Sequence, residues 1–269
     1  MYKDGRVDNL WRNYITELLE EMTMTHNLRA ETITITGFQD NAIEAYLAIS
    51  TEVSAAGSVV VIHHLPGYDE ASKEIVRKFA ANGYFALMPN LYHRIAPGAA
   101  SDDAAAAARS IGGVSDEQMT GDAAGARDYL ITLPNSNGKV AVVGYCSGGR
   151  QALLAGCRVP FDAVVDCYGG SVVAEPPSDH PLQVTPVIGE LVGLNCPVLG
   201  LFGADDTHPS PQENEVLAQS LAQVNKPFTM KTFPGAGHAF FGVDRPGYRV
   251  AAATEGWQAV FAFLKETIA

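Results

Sequence analysis

The order of segments along the chain predicts an α/β protein, a mostly parallel sheet with helices on both faces. Three observations carry this. GSVVVIHH at 57–64 is a continuous apolar run, as expected of a strand buried on both faces. From that run onward, strand-like and helix-like segments alternate to the end of the chain. The 269 residues, 47% hydrophobic and 18% charged, have the composition of an ordinary globular protein with room for a sizeable core.

The elements follow in order. An amphipathic helix is predicted near 8–22, within an N-terminal helical extension spanning 1–28. TITIT at 32–36 and AIEAYLAIS at 42–50 flank GFQDN and read as a β-hairpin. After the buried strand at 57–64 comes a helix near 70–82 and a strand, YFALMP, at 84–89. A helix near 116–132 then leads to KVAVVGY at 139–145, and a helix near 147–157 leads to FDAVVDCYG at 161–169. CPVLGLFG at 196–203 precedes a helix near 211–224, the strand PFTMKTF and a final helix near 248–267. With no internal repeat and no linker, residues 1–269 form one domain, and the proline-containing segment 171–191 is a candidate pocket wall or lid, or equally a passive loop.

Charge and cysteine usage narrow the function. A net charge of −12 opposes binding to a polyanion, since nucleic-acid affinity depends on clustered Lys and Arg. No apolar run reaches bilayer length and the N-terminus lacks a signal-peptide pattern, so neither membrane nor nucleic acid is an expected partner. Cys146, Cys157, Cys167 and Cys196 have no zinc-type spacing and read as free thiols in a reducing cytoplasm. No metal or other cofactor is implied. His63, His64, His93 and His208 lack ligand spacing, and GYCSGGR lacks the G-x-G-x-x-G of a dinucleotide site.

On such a sheet, ligands sit beyond the carboxyl ends of the strands. Gly144, Tyr145, Cys146, Ser147 and Gly148 fall at one of these ends, between a strand and a helix. This is the nucleophile-elbow pattern with Cys in place of Ser, in which small neighbours permit a tight turn that lifts the side chain clear of the sheet. The helix N-terminus beneath the sulfur favours its nucleophilic form. A nucleophile needs a base and the base an orienting acid. LFGADDTHP places Asp205 and Asp206 after a later strand, and TFPGAGHAFFG places His238 after the next. Nucleophile, acid, histidine is the chain order of α/β-hydrolases, with Asp206 the favoured acid and Asp205 its solvated or capping neighbour.

Over about residues 30–267 the sequence resembles the dienelactone hydrolase (carboxymethylenebutenolidase) family, through GYCSGG, FGADD, PGAGHAFF and MPNLYHR. The resemblance implies an α/β-hydrolase fold and a Cys146, His238, Asp206 triad. It also implies an oxyanion hole made by the backbone N–H groups of Ser147 and Leu65. The family usually carries a Glu after its first parallel strand that helps take the thiol proton, and here His64 stands at that position. His64 is then a neutral base, a second hydrogen-bond partner or a histidine that satisfies a neighbour beside the site. The family binds its substrate's carboxylate with two arginines. Arg94 matches the first, while Gly242 stands at the second and Arg245 lies three residues on. Tyr145, adjacent to the nucleophile, completes the set of candidate substrate contacts.

Thiol chemistry selects among substrates. With a reference pKa of about 8.5, a thiolate leaves more readily than an ordinary alkoxide, so the tetrahedral intermediate falls back unless the leaving oxygen is itself stabilised. Enol lactones and activated esters meet that condition. The expected function is therefore hydrolysis of a small activated ester or lactone through an acyl-thioester, by a monomer or homodimer. Two alternatives share the sequence features: a thiol acyltransferase on the same triad, and a non-catalytic scaffold that binds small molecules.

Overall fold

The computed structural model describes residues 28–269 apart from 54, 177 and 179–181. The helix expected near 8–22 lies outside the described residues. Eight strands make one sheet: β1 (Leu28–Thr36), β2 (Ala42–Ser50), β3 (Ala56–Ile62), β4 (Phe85–Pro89), β5 (Ser136–Tyr145), β6 (Ala163–Cys167), β7 (Val198–Gly203) and β8 (Phe228–Phe233). Their order is β1-β2-β4-β3-β5-β6-β7-β8. β2 runs antiparallel to β1 and β4, and all other pairs are parallel.

Burial explains this order. β3 and β6 are buried at every position, as their largely apolar sequences require in the interior of a covered sheet, Ser58 and Asp166 being the polar exceptions. β1, at one edge, shows mixed exposure. Six helices supply the cover: α1 (Glu70–Ala81), α2 (Ser101–Ser110), α3 (Asp116–Ile131), α4 (Ser147–Arg158), α5 (Pro211–Gln223) and α6 (Val250–Thr267). α1 meets α6 on one face, where the Phe79 ring packs edge-on against Trp257 at 5.5 Å. α3 and α4 pack together against the central strands on the other face. No described helix is long and apolar enough to cross a membrane.

Several strand boundaries shift by two to four residues from the sequence expectation, and one helix is new. Leu28 opens β1 rather than closing an N-terminal extension. β3 ends at Ile62, because His63 turns inward and its Nε2 accepts the Leu91 N–H at 3.3 Å instead of continuing the ladder. α2 was not anticipated. Its alanine-rich sequence has high helix propensity but a weak apolar signal, and it buries only the small faces of Ala104, Ala105 and Ala108.

Helix starts bear directly on the site. The N-cap side chains of α1, α3 and α5 (Asp69, Ser115 and Ser210) all accept a backbone N–H of the first turn. The N-cap of α4 is Cys146, and its side chain makes no capping bond.

Candidate active site

Cys146 leaves β5 with φ 57°, ψ −125°, a conformation that costs a non-glycine residue free energy and is tolerated only where the surroundings fix it. Two backbone bonds do so: Cys146 N–H to the Cys167 carbonyl at 3.0 Å, and Gly149 N–H to the Cys146 carbonyl at 2.8 Å. The turn needs glycine at two flanking positions. A Cβ on Gly144 would strike the Gly148 carbonyl, and one on Gly148 would strike the Ile62 carbonyl. The result is a half-buried sulfur held above the first turn of α4. The first N–H groups of a helix have no acceptor within it, so the Ser147 N–H is one of those left for a ligand.

The post-strand loops of β7 and β8 bring their residues to this sulfur. His238 Nδ1 lies 2.9 Å from Asp206 Oδ2, and the same ring interacts electrostatically with the Cys146 side chain. A carboxylate only accepts, so Nδ1 carries the proton. Asp206 is buried, and its other oxygen accepts the His208 N–H at 2.9 Å, which locks the carboxylate in place. Asp205 is exposed, and its N–H bonds the Ala236 carbonyl. Burial disfavours a charged His238 ring, but the interactions with Asp206 and Cys146 outweigh it and raise the pKa from 6.5 to about 10.

Two cavities meet at Cys146. The larger, about 400 Å³, is lined by Leu65, Leu91, Val114, Leu182 and Val184 together with Ser147 and His238. Ser171, Leu182 and Val184 come from the segment 171–191. The smaller, about 190 Å³, is lined by Tyr145, Tyr168, Phe241 and Trp257, with His64 and Arg245 also in its wall. Leu65, Cys146 and His238 belong to both.

The remaining sequence candidates divide. His64 faces its own set of partners: Asp69 Oδ2 at 3.4 Å, Ser72 Oγ at 3.4 Å and an Arg245 guanidinium nitrogen at 3.3 Å. Arg94 is not brought to either cavity. Its guanidinium makes two bonds of 2.8 and 2.9 Å to the buried carboxylate of Asp122 and a third to the Phe38 carbonyl, pinning the β1–β2 turn to α3. The expectation that Arg94 holds a substrate carboxylate is therefore not met by its placement. The guanidinium that does line the larger cavity, Arg150, is paired with Asp116 by two bonds of 2.8 Å.

Sequence reading missed several residues. Tyr168 follows β6 directly, and its ring packs edge-on against His238 at 5.1 Å between centroids. The strand-end rule that found Asp206 also points to it. Asp122 gives no such signal, because its role depends on Arg94 and Phe38, distant in sequence, and Asp69 reads only as a helix cap because its tie to Arg245 is equally distant. Asp166, on β6 beneath the elbow, is fully buried. Its Oδ1 accepts the Gly169 N–H at 2.8 Å, and burial pushes its carboxyl up to about 7. His63 is buried and held near pKa 4 by desolvation, a neutral structural ring. Among the described residues, no three His, Cys, Asp or Glu side chains cluster so as to hold a metal ion.

The doubly covered parallel sheet, the strained turn after β5 and the His238–Asp206 pair on the next loops place the chain among the α/β-hydrolases. Residues 43–268 match the model of the dienelactone hydrolase family, and the chain belongs to that family. It is accordingly a hydrolase of ester or lactone bonds. A Salmonella typhimurium protein named "Putative carboxymethylenebutenolidase" is 32% identical over 209 residues, 74% of this chain and 73% of its own. A Yersinia pestis protein of the same name is 30% identical over 238 residues, 87% of each chain. The crystal structure titled "Putative Dienelactone Hydrolase" from Klebsiella pneumoniae superimposes with a TM-score of 0.77 at 26% identity. That match covers 88% of this chain and 98% of the other.

Proposed function

We propose that the chain hydrolyses small activated esters or lactones through an acyl-thioester on Cys146, with His238 and Asp206 completing a triad. The observation that carries this is His238 bridging Asp206 and the Cys146 side chain, at the point where two cavities meet. With Nδ1 committed to Asp206, Nε2 is the nitrogen that takes the thiol proton. The sulfur attacks the carbonyl carbon, a C–S bond forms, and the carbonyl oxygen takes the negative charge opposite the N–H groups of Ser147 and Leu65. Collapse breaks the C–O bond, and the imidazolium gives its proton to the leaving oxygen. Water, deprotonated by the same nitrogen, then attacks the thioester, releasing the carboxylic acid and restoring the thiol.

In this reading His64 belongs to the pocket wall. Its contacts run to Asp69, Ser72 and Arg245, and the thiol has His238 as its base. Turnover of phenyl acetate and of a dienelactone by the native chain, Cys146→Ala and His238→Ala tests the proposal. Losses on the order of a thousandfold or more are expected for both variants, and native rates in Cys146→Ala would end it.

A further inference from the structure

The smaller cavity differs from the larger in kind as well as in size. Its inner wall is an aromatic cluster: Tyr145 meets Phe241 edge-on at 5.7 Å, Phe241 meets Trp257 edge-on at 5.3 Å, and Tyr168 carries the His238 ring. Tyr145 is 2% exposed, and its hydroxyl is buried with no hydrogen-bond partner among the described residues. A buried hydroxyl left without a partner is costly to the fold. The mouth carries Lys78 and Arg245 against Glu74 and Asp244, so it offers polar groups without a net charge of either sign. In the larger cavity the apolar lining is mostly aliphatic, with Tyr92 its one phenol ring, and its guanidinium is already neutralised by Asp116.

From this arrangement we infer that the smaller cavity is a leaving-group subsite for a phenol, and that the substrate is a neutral aryl ester whose aliphatic acyl group fills the larger cavity. This rests on the thioester reading above. Three arguments agree on which limb goes where. Offset and edge-to-face contacts favour a planar ring among Tyr145, Phe241 and Trp257. His238, which must protonate the leaving oxygen, is supported by Tyr168, a residue of the smaller cavity's wall. A phenol, at a reference pKa of about 10 like tyrosine, leaves as a stabilised oxygen and so competes with the thiolate where an alkoxide does not. In the step itself, the acyl C–O bond breaks as the C–S bond stands, and the phenolate takes the His238 proton.

The test compares phenyl butanoate with the butanoate of a fluorinated alkyl alcohol of matched acidity. The native chain should favour the phenyl ester by about three- to tenfold in kcat/KM, the scale of an aromatic contact. Ala71→Phe, which fills the cavity from α1, should abolish the preference. Val243→Trp, at the exposed mouth where folding is not at stake, should reduce it. Equal kcat/KM for the two esters, or a preference that survives Ala71→Phe, overturns the subsite. If neither ester turns over, it is the thioester reading that fails. Titration of Cys146→Ala with phenol and cyclohexanol then decides the subsite by itself: tighter phenol binding that Ala71→Phe removes supports it, and equal binding refutes it.

Discussion

Two histidine–aspartate pairs flank Cys146, and they are not equivalent. Asp206 gives one oxygen to His238 at 2.9 Å and the other to a backbone N–H, and it is almost wholly buried. Asp69 lies 3.4 Å from His64, caps α1 through the Ser72 N–H at 2.8 Å, and stands 3.6 Å from the Arg245 guanidinium. The first carboxylate is dedicated to one imidazole, whereas the second is divided among three tasks. A histidine beside a carboxylate therefore becomes a base only when that carboxylate orients it toward the reacting atom and has no stronger commitment elsewhere.

The comparison breaks most directly by removing each imidazole. His238→Ala should lower kcat/KM by about 10³ to 10⁴ and His64→Ala by less than about tenfold, both read on an activated ester. Equal losses would erase the distinction drawn here.

Replacing the carboxylates should repeat the contrast on a smaller scale: Asp206→Asn costing on the order of 10² to 10³ in kcat, and Asp69→Asn only a few-fold. An independent reading comes from the titration of His238 by NMR. Its folded pKa of about 10 stands above 6.5 because the interactions with Asp206 and Cys146 outweigh burial. In Asp206→Asn burial should dominate and bring the value well below 10. For a raised histidine pKa the stabilisation is fully present below 6.5 and is lost as pH rises through about 10. The difference in melting temperature between native protein and Asp206→Asn should therefore shrink over that range.

Arg94 and Asp122 sharpen the point as a pair committed to structure alone. Arg94→Leu leaves Asp122 buried and unpaired and should destabilise the fold by about 3 kcal/mol, as seen in urea unfolding. KM for an anionic and for a neutral ester should shift by less than about twofold. The smallest effect is expected for Asp69→Ala, about 1 kcal/mol of stability from the lost N-cap of α1.

Much of this was legible in the sequence because it depends on position along a strand. Cys146, Asp206 and His238 each follow a strand of the parallel run, and strand ends on one edge of such a sheet converge whatever the helices do. The same local logic marked β3 as a strand buried on both faces, and it lies fourth of the eight. What it could not give was the partner of a long, flexible side chain. Arg94 matched a substrate-binding position by its local motif, yet its guanidinium is satisfied by Asp122, 28 residues away on α3. His64 lines the smaller cavity, but its ties to Asp69 and Arg245 required the loop after β8 to close over α1. α2 escaped because alanine carries helix propensity without the apolar periodicity that reveals a buried face.

The central claim, that Cys146 carries the acyl group, is tested most directly by intact-protein mass measurement after acid quench during turnover of phenyl pivalate, whose hindered acyl group slows the second step. One pivaloyl group located on Cys146 in the native chain, and none on Cys146→Ala, is the predicted result. Hydrolysis with the acyl group on another residue, or undiminished turnover by Cys146→Ala, would contradict it.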